Sequence, residues 1–546
     1  MKQSSGTVRE CSFRLRFDFF FMGCRMENSV MNGNAFVYPE GCFFNSIEDI
    51  KDKHITVMGL GLNGGGEATV RFLLRHGAYV LVTDMKQESQ LKPTIDSISA
   101  DKTLPADRLT YVLGEHRIED FANADCVIKN PGVKIQGNKF LQAAKAIETD
   151  ISLFLKFTKA KIIAVTGSKG KSSTVSAIHY GLQQSGFDAF LGGNITVSPL
   201  TFLEQTSEKS VVVLELSSWQ LADLRGRKLL KPFIAVITKI VPDHQNWYNN
   251  MGDYVADKRL IYKDQTEDDY TIVDFDGDAV GTGPSCGGTW GDYFAKETKG
   301  TVLRYSQRDL GLHVKNFNGA WQSFDDNNVF SGMAKLPFWT AAKKILGKLK
   351  VPGVHMRSNT LNAALVLAIM GVKPDSIESI LSGWTGIPHR LQFFHSWKNK
   401  NGVTFKFFND SCATVPEAAA AASQAFGKPV VFICGGTDKG LNFSVLSDTL
   451  NYRQSGSTKV SSLYLLAGTG TDKLVPLLDK DSVSYKGPFG SLEELLKEIK
   501  TDLDSEDSSE VSDVVVFSPG ATSFGMFTNE FDRGTKFMNE VKNLFA

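Results

Sequence analysis

The chain has 546 residues, too many for one hydrophobic core, and its length suggests roughly three or four domains. Apolar residues make up 42% and charged residues 22%, as in an ordinary globular protein, while Lys plus Arg equal Asp plus Glu at 60 each. This balance argues against nucleic acid as a partner, and no apolar run is long enough to cross a membrane. Seven scattered cysteines without a CxxC pair argue against a disulfide framework or a zinc site and favour the cytoplasm.

The first 47 residues carry no clear pattern of regular structure. The stretch 14–22 is largely apolar, but it contains Asp18 and lacks a small-residue cleavage site, so it fits a signal peptide poorly. We expect residues 1–47 to be a poorly ordered extension, or a start assigned too early, with the natural first residue at Met22, Met26 or Met31.

The next segment has the pattern of a nucleotide-binding βαβ unit. Apolar strands are predicted at 54–59 and 79–84, with a helix between them, and the loop 59–64 reads G-x-G-x-x-G. Asp84 ends the second strand about 20 residues later, where an acid can bind a ribose hydroxyl. The pattern indicates a nucleotide diphosphate site, but NAD and other nucleotides both fit it.

A second strand-loop-helix unit has the pattern of a triphosphate site. The predicted strand 161–166 runs into TGSKGKS at 166–172, and an amphipathic helix follows. Backbone N–H groups of such a loop can surround phosphates, Lys171 can reach the terminal phosphates, and Ser172 can hold Mg²⁺. Only two residues separate Gly167 from Gly170, whereas the general phosphate loop has four.

Three further residues follow the strands of this second unit. Glu215 closes a buried strand, His244 follows the end of another, and Lys258 lies on the next predicted helix. A lone acid or histidine is usually structural, but these residues lie where parallel sheets place their ligands. Glu215 near the phosphate loop is therefore a candidate Mg²⁺ ligand.

Strand and helix patterns define an α/β fold of three domains. The expected domains are a Rossmann-like unit at 48–150, a central P-loop ATPase-like parallel sheet at 151–385 and a C-terminal Rossmann-like unit at 386–546. Within the central domain the pattern degrades over about 280–345, where Gly, Pro and Ser are frequent. We expect an irregular insertion there.

Several short motifs occur in a consistent order between residues 50 and 546, and together they resemble the Mur ligase family. They lie at 166–172, 192–195, 215–220, 243–244, 254–258, 355–359, 385–390, 409–414, 435–439 and 518–523. The resemblance implies that the first domain binds UDP and not NAD, that the second binds ATP, and that the third brings the amino acid. The implied enzyme is an ATP-dependent acid–amino-acid ligase.

The implied reaction belongs to the cytoplasmic synthesis of peptidoglycan precursors. ATP phosphorylates the alanine carboxylate of UDP-N-acetylmuramoyl-L-alanine (UDP-MurNAc-L-Ala), and glutamate then attacks the acyl phosphate to form an amide. The expected partners are these substrates alone. The resemblance suggests a monomer without a stable membrane anchor.

The same resemblance implies a role for particular residues. The catalytic group is Lys171, Lys258, His244 and Glu215. The ATP site is Gly167, Ser168, Gly170, Lys171, Ser172, Asn359, Arg390 and Asp410. The UDP-muropeptide site is Gly59, Gly61, Leu62, Asn63, Gly64, Asp84, Asn130, Asn194, Ser217 and Gln220. The glutamate site is Thr414, Lys439, Ser523 and Phe524, and two Mg²⁺ ions are held by Ser172, Glu215, His244 and a carbamylated Lys258.

Some alternatives stay open at this stage. D-glutamate is favoured, but an L-glutamate ligase or a sister ligase for another amino acid would have similar motifs. An NAD-dependent dehydrogenase would explain the first glycine loop but leaves the second without a role. Two positions depart from the family pattern, since Met356 stands where Asn is common and Cys412 where Lys is common.

Overall fold

The computed structural model contains three β-sheets, one in each of the three predicted α/β domains. It describes residues 43–61, 64–195, 197–243, 248–277, 283–284, 287–310, 317–325, 329–438, 440–451, 460–506, 512–523 and 525–546. The three sheets belong to one unit, Tyr38–Ala546. Among the described residues, no helix is both long and apolar enough to cross a bilayer.

The first sheet has five parallel strands in the order β3-β2-β1-β4-β5. Its strands are β1 (His54–Met58), β2 (Tyr79–Asp84), β3 (Leu109–Leu113), β4 (Cys126–Lys129) and β5 (Ile147–Glu148). Its helices are α1 (Gly65–Arg75), α2 (Glu88–Ala100), α3 (Ile118–Ala122), α4 (Lys139–Ala143) and α5 (Asp150–Phe157). The central strand β1 and its neighbours β2 and β4 all end at the same sheet edge, which is where parallel sheets bind ligands.

The central sheet has nine strands in the order β14-β13-β12-β11-β10-β9-β6-β8-β7. Its strands are β6 (Lys161–Thr166), β7 (Ala189–Gly193), β8 (Val211–Glu215), β9 (Ile234–Ile237), β10 (Tyr270–Asp274), β11 (Thr301–Ser306), β12 (Gly319–Phe324), β13 (Phe330–Lys335) and β14 (Lys343–Leu346). Its helices are α6 (Lys171–Gln184), α7 (Ser218–Ala222), α8 (Met251–Lys258), α9 (Trp290–Glu297), α10 (Val354–Ile369) and α11 (Pro374–Ser382). The strands from β7 to β12 are parallel, and β12, β13 and β14 are antiparallel to one another.

The prediction of an irregular insertion at 280–345 is wrong over the described part of that range. Helix α9 and strands β11 to β14 lie there, and the strands extend the central sheet. In β13, buried and half-buried residues alternate, as in a strand with one face on the core. The signal was too weak to read from sequence because each strand is short and the glycines between them favour loops.

The third sheet has six strands in the order β15-β16-β20-β17-β18-β19, of which only the β15–β16 pair is antiparallel. Its strands are β15 (Gln392–Lys398), β16 (Thr404–Asn409), β17 (Val431–Cys434), β18 (Ser462–Leu466), β19 (Lys486–Phe489) and β20 (Val514–Phe517). Its helices are α12 (Pro416–Gln424), α13 (Ser444–Leu450), α14 (Thr469–Lys480), α15 (Leu492–Ser505) and α16 (Glu530–Leu544). The α/β fold and its three-domain organisation are therefore as predicted.

The hydrophobic cores divide the molecule differently from the sheets. Alternate residues of β6 face opposite sides: Ile162 and Ala164 belong to a core shared with the first sheet, whereas Ile163 and Val165 pack towards α6 and α10. The third sheet has its own core on each face. The first core also includes Phe44, which is fully buried, so the folded chain extends at least to residue 43, before the predicted boundary at 48.

Two buried ion pairs join the first sheet to the central domain. The Lys129 ammonium lies 2.5 Å from the Asp223 carboxylate, and Arg227 lies 2.5 Å from Glu148. All four side chains are at most 8% exposed. Charges so deeply buried are tolerated only when they are paired, so the two domains are held in a defined relative position.

We expect Lys129→Met to lower the free energy of unfolding by about 3–5 kcal/mol, because the buried Asp223 carboxylate loses the ammonium of Lys129. Denaturant unfolding of the variant and the parent protein measures this difference. Lys159→Met is the matched control, because Lys159 is 73% exposed and lies 3.9 Å from Glu208. The control should change stability by less than about 1 kcal/mol, and equal losses in both variants would contradict the prediction.

Candidate active site

The glycine loop of the first sheet lies at the carboxyl ends of β1, β2 and β4. The Gly61 N–H donates to the Asp84 carboxylate at 3.1 Å, and the Lys86 N–H donates to the other carboxylate oxygen at 2.9 Å. The Asn130 N–H donates to the Met58 carbonyl at 3.0 Å, which places Asn130 beside the start of the loop. Asp84 therefore shapes the glycine loop in addition to any contact with a ribose.

Gly64 completes this loop as the residue before the first turn of α1. The unpaired N–H groups of a helix start are the usual partners of a pyrophosphate. Gly59, Gly61, Gly64, Asp84 and Asn130 thus lie at one edge of the first sheet, whereas Leu62 and Asn63 lie outside the described residues.

The phosphate loop follows β6 and leads into α6. Gly170 precedes the helix with a φ of +91°, and a Cβ at this position would lie 2.3 Å from the Asn359 Oδ1 atom. A Cβ on Gly167 would lie 1.9 Å from the Thr238 hydroxyl oxygen. No side chain fits at either position, so both glycines are required for the loop to lie this close to its neighbours.

Two lysines converge on the carbonyl oxygen of Gly167. The Lys171 ammonium donates to it at 3.0 Å and the Lys258 ammonium at 2.8 Å. Burial lowers the pKa of Lys171, and the charges of Lys169 and Arg390 act in the same direction. Burial also holds the pKa of Lys258 well below its usual value, and the charge of Lys171 adds to the effect. Both amines are therefore held at the loop in surroundings that favour an anion.

Glu215 ends β8, the strand next to β6, and faces the same loop. It is 1% exposed, and its Oε1 atom accepts a hydrogen bond from the Asn194 side chain at 2.9 Å. Its Oε2 atom is buried and has no hydrogen-bond partner among the described residues. Because a buried carboxylate oxygen without a partner is costly, this atom is suited to a ligand such as a cation.

The oxygen donors beside the phosphate loop fit a nucleotide-bound Mg²⁺. No cluster of three or more His, Cys, Asp and Glu side chains that could hold a metal occurs in the described part of the chain. Mg²⁺ bound with nucleotides takes only one or two carboxylates, and phosphates and water complete its shell. Glu215 and the half-buried Ser172 on the first turn of α6 fit that pattern. His244, predicted as a further ligand, lies outside the described residues.

Ser217 and Gln220 have a structural role in addition to the predicted contact with the muropeptide. The Ser217 hydroxyl accepts from the Gln220 N–H, and the Gln220 side chain accepts from the Ser217 N–H at 2.9 Å. This reciprocal capping box begins α7 directly after Glu215. The pair therefore helps to direct the chain away from the end of β8.

Asn359 lies on α10 and reaches the phosphate loop from the side. It is 7% exposed, and its amide donates to the Met356 sulfur at 3.9 Å. Met356 is itself buried in the core between α6 and α10. Here Met356 packs in the core and contacts Asn359, so its departure from the family pattern is compatible with the local structure.

The third domain presents Arg390 and Asp410 together. The Asp410 carboxylate accepts from the Leu391 N–H at 3.0 Å and from the Ser518 hydroxyl at 2.6 Å. Burial raises the pKa of Asp410 to about 7, although these two bonds and the Arg390 charge oppose the shift. Arg390 is exposed, and its charge lowers the pKa of Lys171, so it faces the phosphate loop.

Loops after β16, β20 and β17 carry the predicted glutamate residues. The loops 409–414, 518–523 and 435–438 lie side by side because these strands are neighbours in the sheet. The Thr437 and Thr522 backbones pair with each other at 2.9 and 3.1 Å. Thr414 and Ser523 are thus brought to one edge, whereas Lys439 and Phe524 lie outside the described residues.

Comparison with known proteins decides the family. A model described as the Mur ligase middle domain matches residues 165–367, and one described as the MurD-like N-terminal domain matches 53–152. A UDP-N-acetylmuramoylalanine--D-glutamate ligase of Treponema pallidum is 38% identical, over 91% of this chain and 98% of its own length. The chain belongs to the Mur ligase family.

Other relatives of this Mur ligase agree. Proteins of the same name from Borreliella burgdorferi and a Roseiflexus species are 37% and 31% identical, over 91% and 90% of this chain and 99% and 98% of their own lengths. MurF from Acinetobacter baumannii has a TM-score of 0.54 at 13% identity, over 93% of this chain and 99% of its own. The MurC ligase from Thermotoga maritima has a TM-score of 0.52 at 16% identity, over 90% of this chain and all of its own. At these identities the structural likeness supports the shared fold alone.

Two contacts of this Mur ligase site were missed from sequence. The Tyr254 hydroxyl donates to the Ser168 hydroxyl at 3.0 Å, and the Lys258 ammonium lies 4.4 Å from the centre of the Tyr254 ring. Tyr254 and Lys258 form the motif at 254–258, and their spacing on α8 places both on one helix face, but the sequence assigned Tyr254 no contact. Thr238, which closes the space behind Gly167, has no comparable signal.

The raised pKa of Asp410 predicts a pH-dependent stability of this Mur ligase. The folded value of about 7 exceeds the ordinary value of 3.8, so the folded state binds the proton more tightly. This contribution to stability is fully present below the unfolded pKa and is lost as the pH rises through the folded pKa. We expect the unfolding temperature of the parent protein, relative to Asp410→Asn, to fall between about pH 4 and about pH 7 and to level off above that range. If the unfolding temperatures of the two proteins changed in parallel with pH, this prediction would be contradicted.

Proposed function

We propose that this Mur ligase joins D-glutamate to UDP-MurNAc-L-Ala with ATP as the energy source. One observation carries the proposal: Lys171, Lys258 and Glu215 converge on a phosphate loop in a chain that covers nearly the whole length of D-glutamate ligases. The name of those relatives favours the D enantiomer over the L enantiomer. It also favours this substrate over those of sister ligases.

ATP binds, in this proposal, with its phosphates against the loop 167–172. The N–H groups at the start of α6 and the Lys171 ammonium neutralise the phosphate charge, which is the main requirement of phosphoryl transfer. Glu215 and Ser172 would hold one Mg²⁺, and His244 with Lys258 a second. Mg²⁺ supplies charge neutralisation to the phosphate oxygens when it is bound. Asn359, Arg390 and Asp410 hold the nucleoside side of ATP.

Lys258 acts as a metal ligand only after carbamylation, which replaces a cation by a carboxylate-like group. CO₂ reacts with neutral amines, and burial, which holds the pKa of Lys258 well below its usual value, raises the fraction of neutral amine. We expect preparations depleted of CO₂ to lose activity and bicarbonate to restore it. Lys258→Ala should be inactive and insensitive to bicarbonate, and activity independent of CO₂ would contradict carbamylation.

The reaction then proceeds in two balanced steps. A carboxylate oxygen of the alanine attacks the γ-phosphorus, the bond between the γ-phosphorus and the bridging oxygen breaks, and ADP leaves. The amine nitrogen of glutamate attacks the acyl carbon, loses a proton and expels inorganic phosphate to give the amide. Water must be excluded between these steps, and closure of the third domain, which has its own core, would exclude it.

UDP and glutamate occupy the two outer domains, and the sugar-peptide extends from the UDP onto the central domain. The loop 59–64, Asp84 and Asn130 bind the UDP, while Asn194, Ser217 and Gln220 contact the sugar-peptide. Thr414, Lys439, Ser523 and Phe524 receive glutamate, whose two carboxylates suit a cation with hydroxyl donors. We place the reaction in the cytoplasm and expect a monomer, which light scattering of the purified protein checks.

The test is phosphate release from ATP with Mg²⁺, UDP-MurNAc-L-Ala and either enantiomer of glutamate. Release with D-glutamate and little with L-glutamate is expected. Omission of the UDP substrate is the control for plain ATP hydrolysis. Release with another amino acid or acceptor, and none with D-glutamate, would overturn the proposed function.

A further inference from the structure

Arg533 is a buried cation that the proposed chemistry does not use. It lies in the first turn of α16, is 0% exposed, and is the largest fully buried side chain of the described residues. No carboxylate lies within ion-pair distance of it in the described part of the chain. Three of its N–H groups reach acceptors, and all three acceptors are uncharged.

Those three acceptors belong to two loops of the predicted glutamate site. The Arg533 Nε–H donates to the Ser411 hydroxyl at 3.0 Å, and an Nη2–H donates to the Ser411 carbonyl at 2.8 Å. An Nη1–H donates to the Ala521 carbonyl at 3.0 Å. One planar guanidinium thereby joins loop 409–414 to loop 518–523. An ammonium could not satisfy this fork of donors, because it lacks the planar geometry.

Loop 435–438 is connected to Arg533 through loop 518–523. Thr522, next to Ala521, pairs with Thr437 of loop 435–438, and the Gly520 N–H donates to the Ala413 carbonyl at 2.9 Å. A Cβ on Gly436 would lie 3.5 Å from the Arg533 Nη1 atom. Arg533 therefore connects the loops that carry or precede Thr414, Ser523 and Lys439. It bonds directly to two of these loops and reaches the third through Thr522.

The charge of Arg533 is a second argument. A buried cation without an anion is expensive, and proteins usually supply a carboxylate for it. Here the loops that contact Arg533 supply only carbonyl and hydroxyl oxygens, and the Glu530 carboxylate acts on it only from beyond ion-pair distance, so a positive potential remains at the carboxyl edge of the sheet. An anionic ligand bound there would be favoured by that potential.

We infer that Arg533 is the positioning residue of the amino-acid subsite. It holds the loops 409–414 and 518–523 in a fixed relative position and favours an amino acid with two carboxylates. The inference rests on the proposed function for the identity of that amino acid. Arg533 acts through the loops and does not touch the substrate. A shift of about 1 Å in residues that orient a substrate can cost about a hundredfold in rate, so the effect should be measurable.

The test compares Arg533→Met and Arg533→Lys with the parent enzyme. We expect Arg533→Met to raise the KM for D-glutamate at least about tenfold, because it removes charge-assisted hydrogen bonds. The KM for UDP-MurNAc-L-Ala should stay within about threefold, because that site lies on other domains, whereas the KM for ATP can also rise because Asp410 lies next to Ser411. Arg533→Lys keeps the positive charge but lacks the planar set of donors. Its KM for D-glutamate should therefore lie between those of the parent enzyme and of Arg533→Met. If the Met variant does not fold, Ser411→Ala, which removes the hydroxyl acceptor, should raise the same KM by a smaller factor.

Phe537→Leu is the matched control. Phe537 lies one turn later on α16, is fully buried, and packs on Phe517 with ring centres 4.4 Å apart. It should lower the unfolding temperature and leave the KM for D-glutamate unchanged. An unchanged KM in the Arg533 variants, an equal rise in all three KM values, or the same rise in Phe537→Leu would overturn the inference.

The experiments distinguish a failure of this inference from a failure of the proposed function. A parent enzyme that is inactive with D-glutamate but active with another amino acid contradicts the proposed function only. The same KM comparison is then made with that amino acid. An active parent enzyme with unaffected Arg533 variants contradicts the inference only.

Discussion

Lys171→Ala should abolish detectable phosphate release while the UDP-linked substrate still binds. The Lys171 ammonium lies within hydrogen-bond distance of the Gly167 and Ser168 carbonyls, in the loop proposed to hold the terminal phosphates. Removal of one preorganised donor to a developing charge typically lowers kcat by about 10²–10³-fold. Steady-state phosphate release measures the loss, and calorimetric titration with UDP-MurNAc-L-Ala measures the retained binding.

Lys161→Ala is the control for this variant. Lys161 is exposed at the opposite end of the same strand, β6, where its ammonium lies 4.4 Å from the centre of the Phe233 ring. It should leave kcat within about twofold of the parent value, as expected for a surface substitution. Loss of UDP-substrate binding in a folded Lys171→Ala protein would contradict the assignment of ATP to the central domain.

Glu215→Gln should lower kcat by at least about 10²-fold and raise the Mg²⁺ concentration needed for half-maximal activity. The substitution keeps the shape of the side chain and an oxygen for the bond from Asn194, which lies at 2.9 Å. It removes the negative charge from the buried Oε2 position, which has no hydrogen-bond partner among the described residues. A magnesium titration of phosphate release therefore separates loss of a metal ligand from general damage.

Glu208→Gln provides the comparison for Glu215→Gln. Glu208 precedes the same strand, β8, at its other end, and its side chain is 78% exposed. Its magnesium dependence should equal that of the parent protein. A Glu215→Gln enzyme with lowered kcat but an unchanged magnesium requirement would contradict the role of Glu215 as a ligand.

Much of the fold follows from local patterns in the sequence. Continuous apolar runs predict the buried strands, and β2 and β6 occur at the predicted residues 79–84 and 161–166. Helix α15 extends to Ser505 although its last turn is rich in polar residues, because Leu503 is buried beneath the polar face. Strands β12 to β14 were not predicted, since their stability comes from pairing with β11 and with one another.

The residues of the candidate site also fall into two groups, those that the sequence indicates and those that only the structure reveals. Residue type and position at a strand end point to Lys171 and Glu215, because parallel strands bring their carboxyl ends to one edge. Arg533 gives no such signal, since nothing near it in the chain reveals that Ser411 and Ala521 are its acceptors. Those contacts span 122 and 12 positions of sequence and exist only after the third sheet has formed.

By itself, the sequence determined the buried strands with continuous apolar runs, the two glycine loops and the chemical groups available for ATP. These depend on side-chain periodicity and turn chemistry within a few residues of each position. Only the tertiary structure decided the strand orders, the antiparallel extension of the central sheet and the convergence of Lys171 and Lys258 on the Gly167 carbonyl. These depend on packing between distant segments, whose free energy is not encoded at any one position of the chain.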